Sequence, residues 1–249
     1  MRRMIGSLFG ILLLFAALSV LWHVAMVVFD VKTYFMPMPA KTFATMLAEW
    51  PVLQKNLLQT LKEGLVGLLF STTVAVSLAT LCVSSRTLMQ ATMPFAIALR
   101  SVPVVAIAPL ITLIAGRGFA TSVIVVTIAG FFPIFVNAMR GLTATRLNAL
   151  ELMHVCGASK AQTFRYVRFP FALPHLFAGL RTAAPIAVLG AMLSEWLTGT
   201  AGLGFLILDA ASARELELLW SAIILSMLLG IVIFWSTAEA ERFILARST

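Results

Sequence analysis

What most constrains this chain is where its charges are missing. Between Arg3 and Asp30 lie 26 residues, Met4 to Phe29, without an Asp, Glu, Lys or Arg. An α-helix rises 1.5 Å per residue, so about 20 apolar residues cross a hydrocarbon core of roughly 30 Å. Further uncharged runs are Gly64 to Ser85, Phe119 to Met139 and about Leu218 to Ala238, and a fifth apolar span, about Pro174 to Trp196, carries only Arg181 and Glu195. Another, from near Pro94 to Gly116, is interrupted by Arg100. The first run exceeds the 7–15 residues or so of a signal-peptide core and ends in bulky Val27, Val28 and Phe29, so it reads as a retained span. The pattern predicts an all-α integral membrane protein with about six transmembrane helices.

Composition excludes the alternatives. Charged residues make up 11% of the chain and apolar ones 61%, against about 25% charged in a soluble domain. A water-facing surface of this size needs more charge than the sequence contains. Cys82 and Cys156 are distant in sequence and form no C-x-x-C, which argues against a disulfide framework. The division expected is a first span with its outer connection (1–63), a core of the remaining spans (64–238) and a tail (239–249).

The net charge of +8 follows from topology. With six spans and the N-terminus inside, eleven of the eighteen Lys and Arg residues fall on the inner side and six on the outer, Arg100 being intramembrane. Acidic residues divide three inside and six outside, with Glu195 in a span. The inner face then carries the entire excess, as the positive-inside rule requires, and nucleic acid is not needed to explain it. Both termini are expected in the cytoplasm of a bacterial inner (plasma) membrane protein. Intramembrane charge is costly and usually faces protein or a water-filled path. Arg100 and Glu195 are therefore pathway candidates, their alternatives being a snorkelling guanidinium and an interfacial carboxylate.

Residues 141–169 are too polar to span. Asn148-Ala-Leu-Glu151 reads as a helix N-cap with an acidic third residue, and Ser159-Lys-Ala-Gln162 repeats that logic. Gly157 lies between them, where a helix would end in a left-handed conformation. The loop is thus expected as two short helices with a sharp turn at Gly157-Ala158. On the second, Ala161, Phe164, Val167 and Phe169 form an apolar face, and Pro170 is expected to bend the chain before the fifth span. Such a pair fits either docking to a cytoplasmic protein or lying on anionic lipid.

These residues carry a family resemblance. The string Glu151-x5-Gly157-Ala158-Ser159-x4-Phe164-x2-Val167-x2-Pro170-x3-Pro174 resembles the EAA loop of binding-protein-dependent ABC transporter permeases. Leu99-Arg-Ser-Val-Pro103 through Pro109-Leu110, and Phe131-Phe-Pro133-Ile-Phe-Val-Asn137, extend it upstream. Gly179-Leu-Arg181, Ser194-Glu195 and Gly202-Leu-Gly-Phe-Leu-Ile207 extend it downstream. Together, over roughly residues 94–207, they look like the nitrate, sulfonate and taurine importer branch. Departures are Leu152-Met153, where two alanines are usual, and Ala115-Gly116, where an aromatic-Gly pair is common.

The resemblance implies a MetI-like permease fold, usually as a pair of subunits around a central path. Glu151, Gly157, Ala158, Ser159, Phe164, Val167 and Pro170 would form the coupling helix region, seated on a cytoplasmic ABC ATPase. A periplasmic or surface solute-binding protein and a second permease copy are the other partners implied, besides membrane lipid.

Pathway candidates on physical grounds are Arg100, Pro103 and Pro109, whose span is weakened by proline, and Asn137, whose amide needs a partner in lipid. After Glu195, the glycine-rich stretch with Gly202 and Gly204 reads as a flexible outer turn, and the resemblance implies instead that it is part of the outer gate. The polar row Ser71, Thr72, Thr73, Ser77 and Thr80 fits small-residue helix packing better than solute binding. No catalytic, metal or cofactor site is expected: His23, His154 and His175 have no ligand spacing, and no G-x-x-x-x-G-K-[ST] phosphate loop occurs. ATP and Mg would belong to the partner ATPase. Arg100 and Arg117 favour a small anion, such as a sulfonate, taurine or nitrate, as the solute. The competing reading is a membrane anchor or assembly factor that recruits a cytoplasmic protein without transport.

Overall fold

The computed structural model describes residues 17, 19–32, 35–101 and 103–246, apart from the side chains at 86, 93, 99–101, 105 and 245. The described part of the first span is an apolar helix, α1 (Ser19–Val28). A short helix α2 (Pro39–Ala48) leads into α3 (Trp50–Ser84), which is continuous across the expected boundary at residue 63. Then come α4 (Arg86–Ser101), α5 (Val104–Ala115) and α6 (Phe119–Thr143). Two short helices, α7 (Leu147–Val155) and α8 (Lys160–Thr163), precede a π-helical turn (Phe164–Arg168). The chain ends in α9 (Phe169–Thr198), α10 (Leu203–Ala213) and α11 (Leu216–Leu245).

Among the described residues, four helical stretches are long and apolar enough to cross a membrane: Trp50–Ser84, Phe119–Thr143, Lys160–Thr198 and Leu216–Ile244. The expected third span is divided. Pro103, with φ −64° and ψ 113°, caps α5 in an extended conformation and separates it from α4. A proline disfavours helix at the residue before it and lacks the N–H needed to continue the ladder.

The core is built where α6 packs between α3 and α9, with α11 against α9. Close approach there depends on small residues. A Cβ on Gly67 of α3 would lie 2.5 Å from Val126 of α6, so only glycine permits this spacing. Ala75, Ala79, Ala138, Ala183, Ala184, Ala187 and Ala191 are fully or almost fully buried along the same seams. In lipid, where tails are as apolar as Leu, van der Waals contact between small residues is what holds helices together. Thr72, Thr73 and Thr80 each donate to a carbonyl of their own helix four residues back. Ser71 is fully buried against Gly130 of α6. Of the polar row of the second span, Ser71 packs in a helix seam, while Thr73 and Ser77 are exposed.

Two findings differ from the sequence reading. The α7 N-cap is Arg146, with extended dihedrals (φ −61°, ψ 133°), so Asn148 lies inside the first turn and caps nothing. Nor is the helix broken before the fifth span: α8, the π turn and α9 run on as one continuous helical stretch, Lys160–Thr198. Phe169 keeps helical dihedrals (φ −66°, ψ −47°) although Pro170 follows it. The wider π turn absorbs the proline: the Phe169 N–H reaches back to the carbonyl of Phe164.

Candidate functional site: a coupling module and an outer latch

At one end of the bundle lies the α7–α8 module. Gly157 has φ +66°, and α7 closes in a Schellman arrangement. The Ala158 N–H donates to Met153 O at 2.9 Å, and the Gly157 N–H to His154 O at 3.0 Å. A capping box then starts α8. The Gln162 N–H donates to Ser159 Oγ (3.3 Å), and the Ser159 N–H donates to Gln162 Oε1 (2.7 Å). Both turns are fixed by local hydrogen bonds, so the module keeps its shape although few of its residues are buried. Nothing lies within 4 Å of where a Gly157 Cβ would be, so the turn is open to a partner.

Among the expected coupling residues, Glu151, Gly157, Ser159 and Pro170 are exposed and Ala158 is half-buried. Phe164 is half-buried against the core and packs on Phe169, with ring centroids 6.0 Å apart, while Val167 is buried. The apolar side of α8 and the π turn therefore holds the module onto its own bundle. Arg168 adds an anchor, its Nη1 donating to Leu142 O at the end of α6 (3.3 Å). The outward apolar ridge instead consists of Leu147, Leu152, Val155 and Tyr166, with exposures of 73%, 63%, 84% and 66%. The sequence reading missed this ridge. The signal for it was the pair Leu152 and Val155, three apart on a helix within a polar loop.

The opposite end holds the second group. Glu195 near the end of α9 is 1% exposed, and the turn into α10 folds over it. Gly202 has φ +111°, and a Cβ there would lie 2.2–2.5 Å from the Glu195 carboxyl atoms. The Gly204 N–H donates to Glu195 Oε2 (2.7 Å). Two neighbouring amides are taken by α3: Gly202 N–H donates to Asn56 Oδ1 and Leu203 N–H to Thr60 Oγ1, both at 2.8 Å. These are among the orphan N–H groups every helix start exposes, here satisfied by side chains of two other helices. A carboxylate at this position also suits the positive end of the α10 dipole. Glu63, one turn along α3 from Thr60, is 1% exposed and interacts directly with Glu195. The reading from sequence had no role for Asn56, Thr60 or Glu63. Their i, i+4, i+7 spacing just ahead of an apolar run marks one helix face and was the available clue.

Arg117 borders this end, its Nε donating to Thr198 O (3.3 Å). Pro103 and Pro109 lie exposed on the α4–α5 segment, far from Glu195 in sequence; the Arg100 side chain lies outside the described residues. Asn137 is half-buried, and its Nδ2 donates to Pro133 O in its own helix (2.7 Å). Glu195, Gly202 and Gly204 are thus brought together, while Asn137 lies beside Gly179, more than four turns along α9 from Glu195.

The comparisons with known proteins agree with this architecture. Residues 67–244 match the family described as "Binding-protein-dependent transport system inner membrane component". The formylaminopyrimidine transport permease of Halalkalibacterium halodurans is 30% identical over 94% of this chain and 93% of its own length. The riboflavin transport system permease of Chloroflexus aurantiacus is 35% identical over 64% of this chain and 59% of its own. Shorter matches bear the names of aliphatic sulfonate, nitrate and taurine permeases. By fold, an inward-facing MetNI methionine ABC transporter chain superposes with a TM-score of 0.71. It covers 79% of this chain and 98% of that one at 17% identity. With its all-helical core, buried latch and exposed module, this chain belongs to the binding-protein-dependent inner-membrane components, the MetI-like, non-enzymatic permease subunits of ABC importers whose ATPase is a separate chain.

Proposed function

We propose that this permease carries a small organic solute inward, and that the α7–Gly157–α8 module, on the cytoplasmic side with both termini, seats on the partner ATPase. The observation that carries the reading is the open, rigid turn at Gly157. It is flanked by the exposed ridge of Leu147, Leu152 and Val155 and fused through the π turn to the long α9. A continuous helix would pass a push at its end to the helices packed along it. Nucleotide-driven closure of the ATPases would thereby bias the spans between inward and outward access, since differential contact with two states is what shifts an equilibrium. ATP and Mg would bind on those partners.

A second copy of the chain would complete the path. Leu110, Leu113 and Ile114 of α5 are 60%, 84% and 90% exposed, and they adjoin Pro103 and Pro109 on the broken third span. Pairing there would cover this face and place Arg100, Pro103, Pro109 and Asn137 towards the axis. Glu195, Gly202 and Gly204 would close its outer end, near the docking face for the binding protein. Remaining apolar surface would contact lipid.

For the solute, the near full-length relative named for a formylaminopyrimidine supports a nitrogen heterocycle. The anion reading relied on Arg100 and Arg117, and the Arg117 guanidinium is engaged by the Thr198 carbonyl. The shorter relatives named for sulfonates, nitrate and taurine keep a small anion as the second candidate. The test is uptake into vesicles containing permease, its ATPase and binding protein, offering a pyrimidine, taurine and nitrate in turn. ATP-dependent uptake of one of them supports import. Lack of flux with an intact, bound ATPase would favour the anchor reading.

A further inference from the structure

We infer that Glu63 and Glu195 form a single-proton acid pair, one carboxyl donating its O–H to the other, and that this pair fastens the α9–α10 turn onto α3. The inference rests on hydrogen-bond accounting. Each carboxyl has one oxygen served by a donor: Gln59 Nε2 donates to Glu63 Oε1 (2.7 Å), and the Gly204 N–H to Glu195 Oε2 (2.7 Å). Each also has one buried oxygen without a donor, Glu63 Oε2 and Glu195 Oε1. An ionised carboxylate only accepts, so two facing carboxylates cannot serve each other. A proton on either one converts the pair into donor and acceptor, and both orphaned oxygens are satisfied together.

The surroundings supply no competing donor of charge. Among the described residues the ion pairs lie elsewhere, at Asp30–Lys32, Arg181–Glu241 and Glu239–Arg242. On the elements packed around the pair, Lys62 of α3, Arg117 beside α6 and Asp209 of α10 are exposed. The Ser122 hydroxyl lies beside Glu63 and the Thr60 hydroxyl beside Glu195, but Ser122 donates to Ser194 Oγ (3.1 Å) and towards Gly118 O (3.5 Å), and Thr60 donates to Asn56 O (3.2 Å). Glu63 and Glu195 are each 1% exposed, and Leu203, beside Thr60, is fully buried. Burial of an unserved polar atom is costly, and two adjacent like charges add repulsion. The proton removes both costs, and through Gly204 the pair holds the start of α10, beside the amides that Asn56 and Thr60 hold. The inference is independent of the solute and of the ATPase partner.

The test is infrared spectroscopy of the purified full chain in detergent at neutral pH, comparing water with deuterium oxide. Wild type should contain a deuterium-sensitive band of a protonated carboxyl. Glu63→Gln and Glu195→Gln, whose amides replace the donor, should each lose it, while Ser122→Ala should keep it. A wild-type spectrum without that band, or a band surviving both glutamine variants, overturns the pairing, and the wild-type arm needs no variant to fold. Unfolding midpoints are followed with sodium or potassium chloride against choline chloride. If the band is absent and the midpoint rises with one metal cation, the two carboxyls hold that cation instead, and the inference fails.

Discussion

Gly202→Ala tests the latch because two separate costs meet at one atom. At φ +111° and ψ 168° the backbone is in a region essentially confined to glycine, and a side chain there costs about 1–3 kcal/mol. The new Cβ would also lie 2.2–2.5 Å from three atoms of the buried Glu195 carboxyl, which must move. Moving it sacrifices the 2.7 Å bond from the Gly204 N–H, and a buried donor left unserved costs about 1–3 kcal/mol. The expected loss is about 2–6 kcal/mol, a large part of a typical folding stability of 5–15 kcal/mol or so. The assay is reversible unfolding of the detergent-solubilised protein, read by tryptophan fluorescence. Gly157→Ala is the internal control. It too has positive φ, but nothing lies within 4 Å, so only strain of about 1–2 kcal/mol remains. A Gly202→Ala variant as stable as Gly157→Ala would refute the reasoning, since the steric term would then be missing.

Gly67→Ala should destabilise by about 1–3 kcal/mol through overlap with Val126, and a second change, Val126→Ala, should recover part of it in the same unfolding assay. Arg181→Gln and Glu241→Gln should each lower the unfolding midpoint, and the double variant should lose less than the two together, with a coupling of about 0.5–3 kcal/mol in a double-mutant cycle. Ser159→Ala removes half of the capping box and costs the module about 1 kcal/mol. Transport-stimulated ATP hydrolysis should fall in that variant while the global midpoint barely changes. Gly157→Arg should insert and fold but abolish transport-coupled hydrolysis, because the side chain would project into the open turn where the ATPase is expected to seat.

Local features were legible in the sequence and tertiary ones were not. Ser159-x-x-Gln162 forms its capping box as the residues imply, because every partner lies within four positions. Gly157 adopts its left-handed conformation for the same reason. Asn148 misled because Arg146, two residues earlier, already holds the extended conformation from which α7 starts. Pro170 misled because a π turn accommodates a proline that a strict α-helical ladder does not. The apolar side of α8 looked like a docking surface, yet Val167 and Phe164 turn towards the bundle, a direction set by how α8 joins α9. The α10 helix, Leu203–Ala213, begins at the end of the glycine-rich connection and was not foreseen between the fifth and sixth spans. Glu63 looked like the edge of a span; its partner Glu195 is 132 positions away, and only packing of α3 against α9 unites them.

The central claim is that the turn at Gly157 is where a separate motor grips this permease. Cys156 offers a natural probe, being exposed beside that turn, while the other cysteine, Cys82, is buried. A short thiol-to-amine crosslinker applied to the complex reconstituted in sealed vesicles reads the contact directly. The account predicts a product joining Cys156 to the ATPase chain, lost in Cys156→Ser and formed only when that chain is present. A product with the binding protein instead, or labelling of Cys156 by a membrane-impermeant thiol reagent added on the binding-protein side, would contradict it.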